Sequence, residues 1–410
     1  MNRLSLSGLQ QWMDDRFPLT STWRYHMSEY YVSKNVNWWY LFGSLAILVL
    51  VIQVVSGVWL MFYYQPSAER AFSSVEFIMR DVDWGWLMRY MHTTGASAFF
   101  VVIYLHMYRS LLYGSYQKPR ELLWITGVLL YLVLMAEAFM GYVLPWGQLS
   151  YWAGQVIISL ASVVPVVGEE LVVWLQGGYI VNEATLGRLY AFHVIGLPLV
   201  LIGLTFVHIV GLHHVGSSSP DGVEIKKNKD ANGKPVDGIA FHPYITVKDL
   251  FGWGIFLILF CAVMFFAPTF GGFFIEPPNF QEADPLQTPS AIHPVWYFQA
   301  WYAMLQSIPN QALGVVVMLG ASAILLFLPW IDRGQVGSIR LRGLGYKIGL
   351  GVFTITFIVL TWLGKQEPTG LPVILGQIFT VIYFGYFVFL WAYTYFGFEK
   401  TKPVPERVTV

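Results

Sequence analysis

The sequence predicts an all-α integral membrane protein with eight transmembrane helices, and three observations predict it. Hydrophobic residues make up 56% of the 410 and charged ones only 12%, a balance far from that of a soluble domain. Stretches able to cross a bilayer, free of charge but for Glu137 in the third, occur at about 38–63, 90–108, 122–145, 189–214, 250–275, 312–331, 348–364 and 371–396. Lipid offers the backbone no hydrogen-bond partner, so each stretch must satisfy its own peptide groups as a helix. Placing the N-terminus inside puts 19 of the 24 lysines and arginines in segments on that side. That asymmetry places both termini in the cytoplasm. The formal net charge of zero gives no long-range attraction to nucleic acid, so the expected surroundings are lipid.

Residues 1–37 mix polar and aromatic groups. Asp14, Asp15 and Arg16 interrupt the apolar core a signal peptide needs, and LQQWMDDRF reads as a short surface helix at the inner face. His26 lies outside the spans and reads as structural or solvent-facing.

The first four spans, 38–220, form one expected unit. The second carries His92 and His106, 14 residues apart, and the fourth carries His193 and His208, 15 apart. Both separations are close to four turns, so each helix presents two imidazoles on one side, about 21 Å apart along its axis. An imidazole at membrane depth needs a partner. If these helices run antiparallel through the bundle and face each other, His92 meets His193 near one surface and His106 meets His208 near the other. Two bis-histidine haem sites follow, because axial histidines are a usual way of holding haem iron. A lone membrane histidine is more often a hydrogen-bond partner between helices; two matched pairs favour the metal. The first span carries Gly43 and Gly57, the third Gly127 and Gly141, again 14 apart in each case. Glycine weakens a helix. Close helix packing explains its presence in membranes, but the shared spacing suggests bare backbone against flat macrocycles at the same two depths.

Between the third and fourth spans, glycines and Pro165 interrupt a polar stretch that fits helices on the outer surface. The loop 221–249 contains KKNKDANGKP, to which no chemistry is assigned. Residues 250–410 hold the last four spans, and the loop before the sixth is proline-rich and free of lysine and arginine, as expected of a lid or binding wall. The last three spans carry no histidine and read as a docking layer. The single Cys261 permits neither an internal disulfide nor a Cys-x-x-Cys-His attachment site. Haem here is therefore non-covalent, and a Cys-ligated cluster belongs to another polypeptide.

Five strings now combine: RYMHTTGAS in the second span, MGYVLPWGQLSYW after the third, the paired FH and H of the fourth, HPYITVKDL before the fifth, and ADPLQTPSAIHPVWYF before the sixth. Over nearly its whole length the chain resembles cytochrome b of the quinol:cytochrome c oxidoreductases, the cytochrome bc complexes. The resemblance implies that His92 and His193 hold a low-potential haem b near the periplasm and His106 and His208 a high-potential haem b near the cytoplasm, in a bacterial inner membrane. Arg89, Arg109 and Arg120 lie beside these depths, where they could pair with haem propionates. Anchoring by the positive-inside rule accounts equally well for Arg109 and Arg120, but not for Arg89. Quinol oxidation is implied at an outer site carrying a Pro-Glu-Trp-Tyr motif, which here reads Pro294-Val295-Trp296-Tyr297. One electron goes to a Rieske iron–sulfur subunit and one to the low-potential haem, and thence to the high-potential one. Quinone reduction and proton uptake are implied on the inside, at His213, Ser217, Lys248 and Asp249, although Lys248 and Asp249 could simply cap the fifth span. His214 and His242 read as structural. A cytochrome c-type subunit and a homodimer complete the implied assembly.

Two departures matter. The 15-residue spacing puts the fourth span's pair about 60° ahead of four full turns, where the second span's lags by about 40°; a local distortion at Gly196-Leu197-Pro198 could absorb this. Val295 cannot accept a proton, although quinol oxidation releases two, so another titratable group is needed within reach. Glu137 is one candidate, four residues before Gly141 and so on the same helix face. A protonated glutamic acid bonding a neighbouring helix explains it equally well; His293 and Glu276 are the other candidates. A dihaem anchor of a quinone-linked dehydrogenase would share the histidines but leave the outer-loop motif unexplained. A secondary transporter would show internal repeats, and none is apparent.

Overall fold

The computed structural model describes residues 6–409; residues 1–5 and 410, the extremes of the N-terminal segment and the C-terminal tail, lie outside. Among the described residues, eight helices are long and apolar enough to cross a membrane: α1 Trp38–Met61, α2 Gly85–Tyr113, α3 Glu121–Val143, α4 Glu183–Val215, α5 Phe241–Phe266, α6 Gln311–Ile331, α7 Leu344–Leu363 and α8 Leu371–Tyr395. Their ends follow local chemistry. Asn37 accepts from the Trp39 amide at the start of α1, and Asn182 and Thr185 form a reciprocal capping box at the start of α4. Gly114 ends α2 in the left-handed region at φ 60°, where glycine carries no steric penalty.

Helix α1 packs along α2, α3 along α4, and α7 along α8. One apolar core joins the α1–α4 bundle to α6–α8, with Tyr131, Trp301 and Tyr383 meeting at the seam. Specific bonds fix that seam: Trp124 donates to the Leu325 carbonyl at 2.6 Å, and Trp301 to the Tyr131 hydroxyl at 3.0 Å. The helix Leu6–Asp14 lies where the sequence predicts a surface helix, and helices Gln148–Ser159 and Gly168–Gln176 occupy the connection between α3 and α4.

Two expectations are corrected. The fifth span, expected at 250–275, is Phe241–Phe266. Pro268 follows its end, and Gly271 and Gly272 adopt φ of 63° and 87°, so the apolar run FGGFF continues the hydropathy but not the helix. At the other end, Lys248 and Asp249 lie inside the helix, where a search for charge-free sequence cannot see them. The histidine-bearing helices α2 and α4 run in the same direction, not antiparallel. One span separates them, and bringing first histidine to first histidine requires it.

The face that carries both chain ends is tied by charge and by a short antiparallel pair, Tyr31–Ser33 with Gly238–Ala240. Asp221 accepts from Arg340 and from the Thr409 amide and hydroxyl. Arg342, wholly buried, donates to both oxygens of Asp332 at 2.7 and 3.1 Å and to Glu399 at 2.6 Å. Removing one partner of such a group leaves uncompensated buried charge, at a cost of about 3–5 kcal/mol. Arg342→Leu should therefore lower unfolding stability in detergent by that amount; a loss below about 1 kcal/mol, the range of an exposed pair, would contradict this placement.

Candidate functional site

Helices α2 and α4 bring the four histidines together as two opposed pairs. The rings of His92 and His193 have centroids 6.1 Å apart, those of His106 and His208 6.3 Å. A metal–imidazole bond of about 2 Å on either side of one ion, with the half-width of each ring added, spans about this gap. Among the described residues no group of three or more His, Cys, Asp or Glu is placed to hold a metal ion. Two imidazoles alone are a poor cage for a bare ion, but they complete the coordination of an iron that brings its own four porphyrin nitrogens.

The glycines fit the same picture. A Cβ on Gly43 would meet His106 Cε1 at 3.2 Å, one on Gly57 His92 Cε1 at 3.2 Å, and one on Gly127 His208 Cε1 at 3.2 Å; a Cβ on Gly141 would collide with the ring of His193. Each glycine thus faces the histidine at its own depth, and what lies against its bare backbone is an imidazole. The rings are oriented through their second nitrogens. His92 Nδ1 is 2.9 Å from Ser56 Oγ, His208 Nδ1 3.1 Å from Thr126 Oγ1, and His193 Nδ1 2.9 Å from the Glu137 carbonyl oxygen and 3.0 Å from its Oε1. His106 Nδ1 is buried without a partner among the described residues. Ser56 and Thr126 each immediately precede a glycine of the set, a signal present in the sequence as Ser-Gly and Thr-Gly.

The fifteenth residue of the fourth span's spacing is absorbed by a π-helical turn over Phe192–Gly196, slightly earlier than the Gly196-Leu197-Pro198 distortion expected. Pro198 has no amide hydrogen to give the Val194 carbonyl, which frees the register there. A π-turn accommodates one extra residue, so 15 residues on α4 reach as far round as 14 on α2.

Two cavities flank the pairs. One, of about 320 Å³, surrounds the 106–208 pair on the side of the chain ends and gathers His213, Ser217, Lys248, Asp249, Arg109 and Arg120 with Gly43 and Gly127. His26 joins them. Expected to be structural or solvent-facing, it instead lines this cavity with its Nδ1 3.3 Å from that of His213, a contact across 187 positions that no local pattern announces. Lys248 Nζ donates to the Val36 carbonyl at 2.6 Å. Arg109 donates to Ser115 at 2.8 Å while its Nε is buried and unpartnered among the described residues. Arg120, considered as a propionate partner, is committed elsewhere: it holds Glu224 through two bonds of 2.8 and 3.0 Å and the Gly216 carbonyl through a third.

The second cavity, of about 250 Å³, lies at the 92–193 pair and brings together Arg89, Glu137, Glu276, Val295 and Tyr297 with Gly57 and Gly141. Pro294, Trp296 and His293 are not among its walls; Trp296 Nε1 donates to Ser97 Oγ at 3.2 Å, and the Pro294 carbonyl accepts from Gln299 at 3.2 Å. Tyr297 stacks on Phe100 at 3.9 Å, and its carbonyl accepts from Tyr104 at 2.7 Å, so the motif is held firmly. Glu276, 3% exposed, accepts from Tyr142 and Asn279, each at 3.2 Å. Burial pushes its carboxyl up to about 7, against the opposing pull of those donors. His293 is pushed down by burial.

Comparison with known proteins shows the family. The family model for "Cytochrome b/b6/petB" matches residues 27–216, and that for "Cytochrome b(C-terminal)/b6/petD" matches 282–384. The chain is 59% identical to a cytochrome b of Allochromatium vinosum, covering 97% of each, and 41% identical to one of Rickettsia typhi, covering 100% of this chain and 99% of that one. A "Cytochrome b/c1" of Bradyrhizobium diazoefficiens is 42% identical over 97% of this chain and 56% of the relative. Among solved structures, a chain of a "Hyperthermophilic respiratory Complex III" superposes with a TM-score of 0.87 at 38% identity, covering 94% of this chain and 98% of that one. With both halves matched and identity sustained end to end, the chain belongs to the cytochrome b family of integral membrane proteins.

Proposed function

We propose that this chain is the dihaem, quinone-binding subunit of a proton-translocating quinol:cytochrome c reductase of the complex III type, set in a bacterial inner membrane with both termini cytoplasmic. The observation that carries the reading is the pair of opposed imidazoles repeated at two depths, each backed by two glycines. His92 and His193 would hold haem at the outer level and His106 and His208 at the inner one; bound there, haem b supplies a one-electron carrier at each depth, low-potential outside and high-potential inside. The protein contributes position and electrostatics. Two levels about 21 Å apart make charge movement between them electrogenic, at about 2.3 kcal/mol per elementary charge per 100 mV across the whole membrane.

Quinol occupies the outer cavity. Val295 cannot take its proton, and Glu276 does so instead: its carboxyl is buried, lines the same cavity as Tyr297, and sits near the protonation balance suited to a general base. Quinone occupies the inner cavity, where His213, Lys248 and Asp249 position it and pass protons from the cytoplasm, with Ser217 and His26 beside them. The likeness to a chain of a respiratory Complex III supports a multisubunit assembly, and the Bradyrhizobium relative, a cytochrome b/c1, supports a c-type partner. A Rieske iron–sulfur subunit and a homodimeric arrangement follow from the family resemblance.

A reduced-minus-oxidised spectrum of the purified complex, calibrated by pyridine haemochrome, should give two b-type haems per chain with separate midpoints. An outer-site quinone analogue should block their reduction by quinol. A single haem per chain, or one midpoint for both, would overturn the reading.

A further inference from the structure

We propose that Glu137 is a positioning residue that acts through His193 to keep the outer haem harder to reduce than the inner one. This rests on the reading that the 92–193 and 106–208 pairs each hold a haem.

The four histidines differ in what holds their Nδ1 atoms. Ser56 and Thr126, both neutral hydroxyls, serve His92 and His208, and His106 Nδ1 has no partner among the described residues. Of the four, His193 alone faces a carboxylate, with Glu137 Oε1 at 3.0 Å and the carbonyl of the same residue at 2.9 Å. One residue therefore grips one imidazole twice, fixing both its tautomer and its plane. A carboxylate behind a ligating histidine makes the ring a stronger donor, and a stronger donor favours ferric over ferrous iron. Glu137 Oε2 is buried with no partner among the described residues, so no second donor competes with His193 for this side chain.

The surrounding cations sharpen the contrast. At the outer level Arg89 lines the cavity together with Glu137 and Glu276. At the inner level Arg109, Lys248 and Asp249 line the cavity, Arg109 with its Nε unmatched among the described residues, and Arg120 is neutralised by Glu224. Relative to the inner site, the outer one carries an extra negative charge directly behind a ligand. Glu137 thus widens the difference between the two levels in the direction that inward electron flow needs.

The test is a redox titration of the two b-type absorption bands in the assembled complex, for the unaltered protein, Glu137→Gln and Glu137→Ala, with electron paramagnetic resonance of the ferric haems. Gln keeps an acceptor at Oε1 and removes the charge. The outer haem should become about tenfold easier to reduce, a rise of about 59 mV for one electron, with its resonance shifted and the inner midpoint unmoved. Ala should give at least the same rise. An unchanged outer midpoint in Glu137→Gln with both haems bound overturns the proposal. Loss of the outer haem from that near-isosteric variant overturns it too, because Glu137 would then hold the site together. Failure to find two haems in the unaltered protein defeats instead the reading on which the proposal rests.

Discussion

Replacing His193 with leucine should remove one of the two haems and leave the other in place. Leucine fills a similar volume and keeps α4 apolar, so the helix should still insert. It offers iron no nitrogen, and the 6.1 Å gap to His92 loses the ligand that closes it. The 106–208 pair draws on a different segment of each helix, about 21 Å away, with its own glycines at 43 and 127. Haem content should fall from two to one per chain by pyridine haemochrome, with the lower-midpoint component missing from the redox titration. Quinol-driven cytochrome c reduction in the assembled complex should fall by at least about 10²-fold, the loss that even small misplacement of reacting groups can cause. Retention of both haems would show that the two rings do not share an iron. Loss of both from a stably inserted protein would show that the two levels are not independent holders.

Periodic features of the site could be read from the sequence, because a helix converts spacing directly into direction. Histidines 14 and 15 apart and glycines 14 apart are enough to specify which residues share a face and a depth, and the structure places them accordingly. Even the orienting hydroxyls left a trace, as Ser56 and Thr126 stand next to Gly57 and Gly127. Where helices end was less legible. Apolar composition continues past Phe266 while Pro268 and two left-handed glycines stop the backbone, and hydropathy does not register backbone conformation. Contacts across long separations were not legible at all: His26 with His213, Arg120 with Glu224, and Glu276 with Tyr142 depend on how loops return to the bundle. Glu137 shows the boundary between the two. Its face was correctly expected, but its partner on α4 depended on a π-turn that no spacing rule supplies.

Glu276→Gln should slow quinol oxidation by about 10²- to 10⁴-fold, the usual contribution of a positioned general base, while both haems remain bound. Its carboxyl titrates near 7 because burial disfavours the anion. Below that pH the group already carries a proton and cannot accept one; above it the carboxylate is free to do so. The rate in the unaltered protein should therefore rise with pH through about 7 and level off above it, and the Gln variant should lose that rise along with most of its rate. Tyr142 and Asn279, which donate to the carboxylate, favour the anion, so Asn279→Leu should move the rise to higher pH. The decisive variant places the acid elsewhere in the same cavity. Val295 is 2% exposed and lines that cavity with Glu276, so Val295→Glu in the Glu276→Gln background should restore a substantial part of the lost turnover. Stopped-flow reduction of the outer haem by quinol across pH 5.5 to 9 reads all three effects. A Gln variant that keeps both its rate and its pH dependence would remove Glu276 from the reaction.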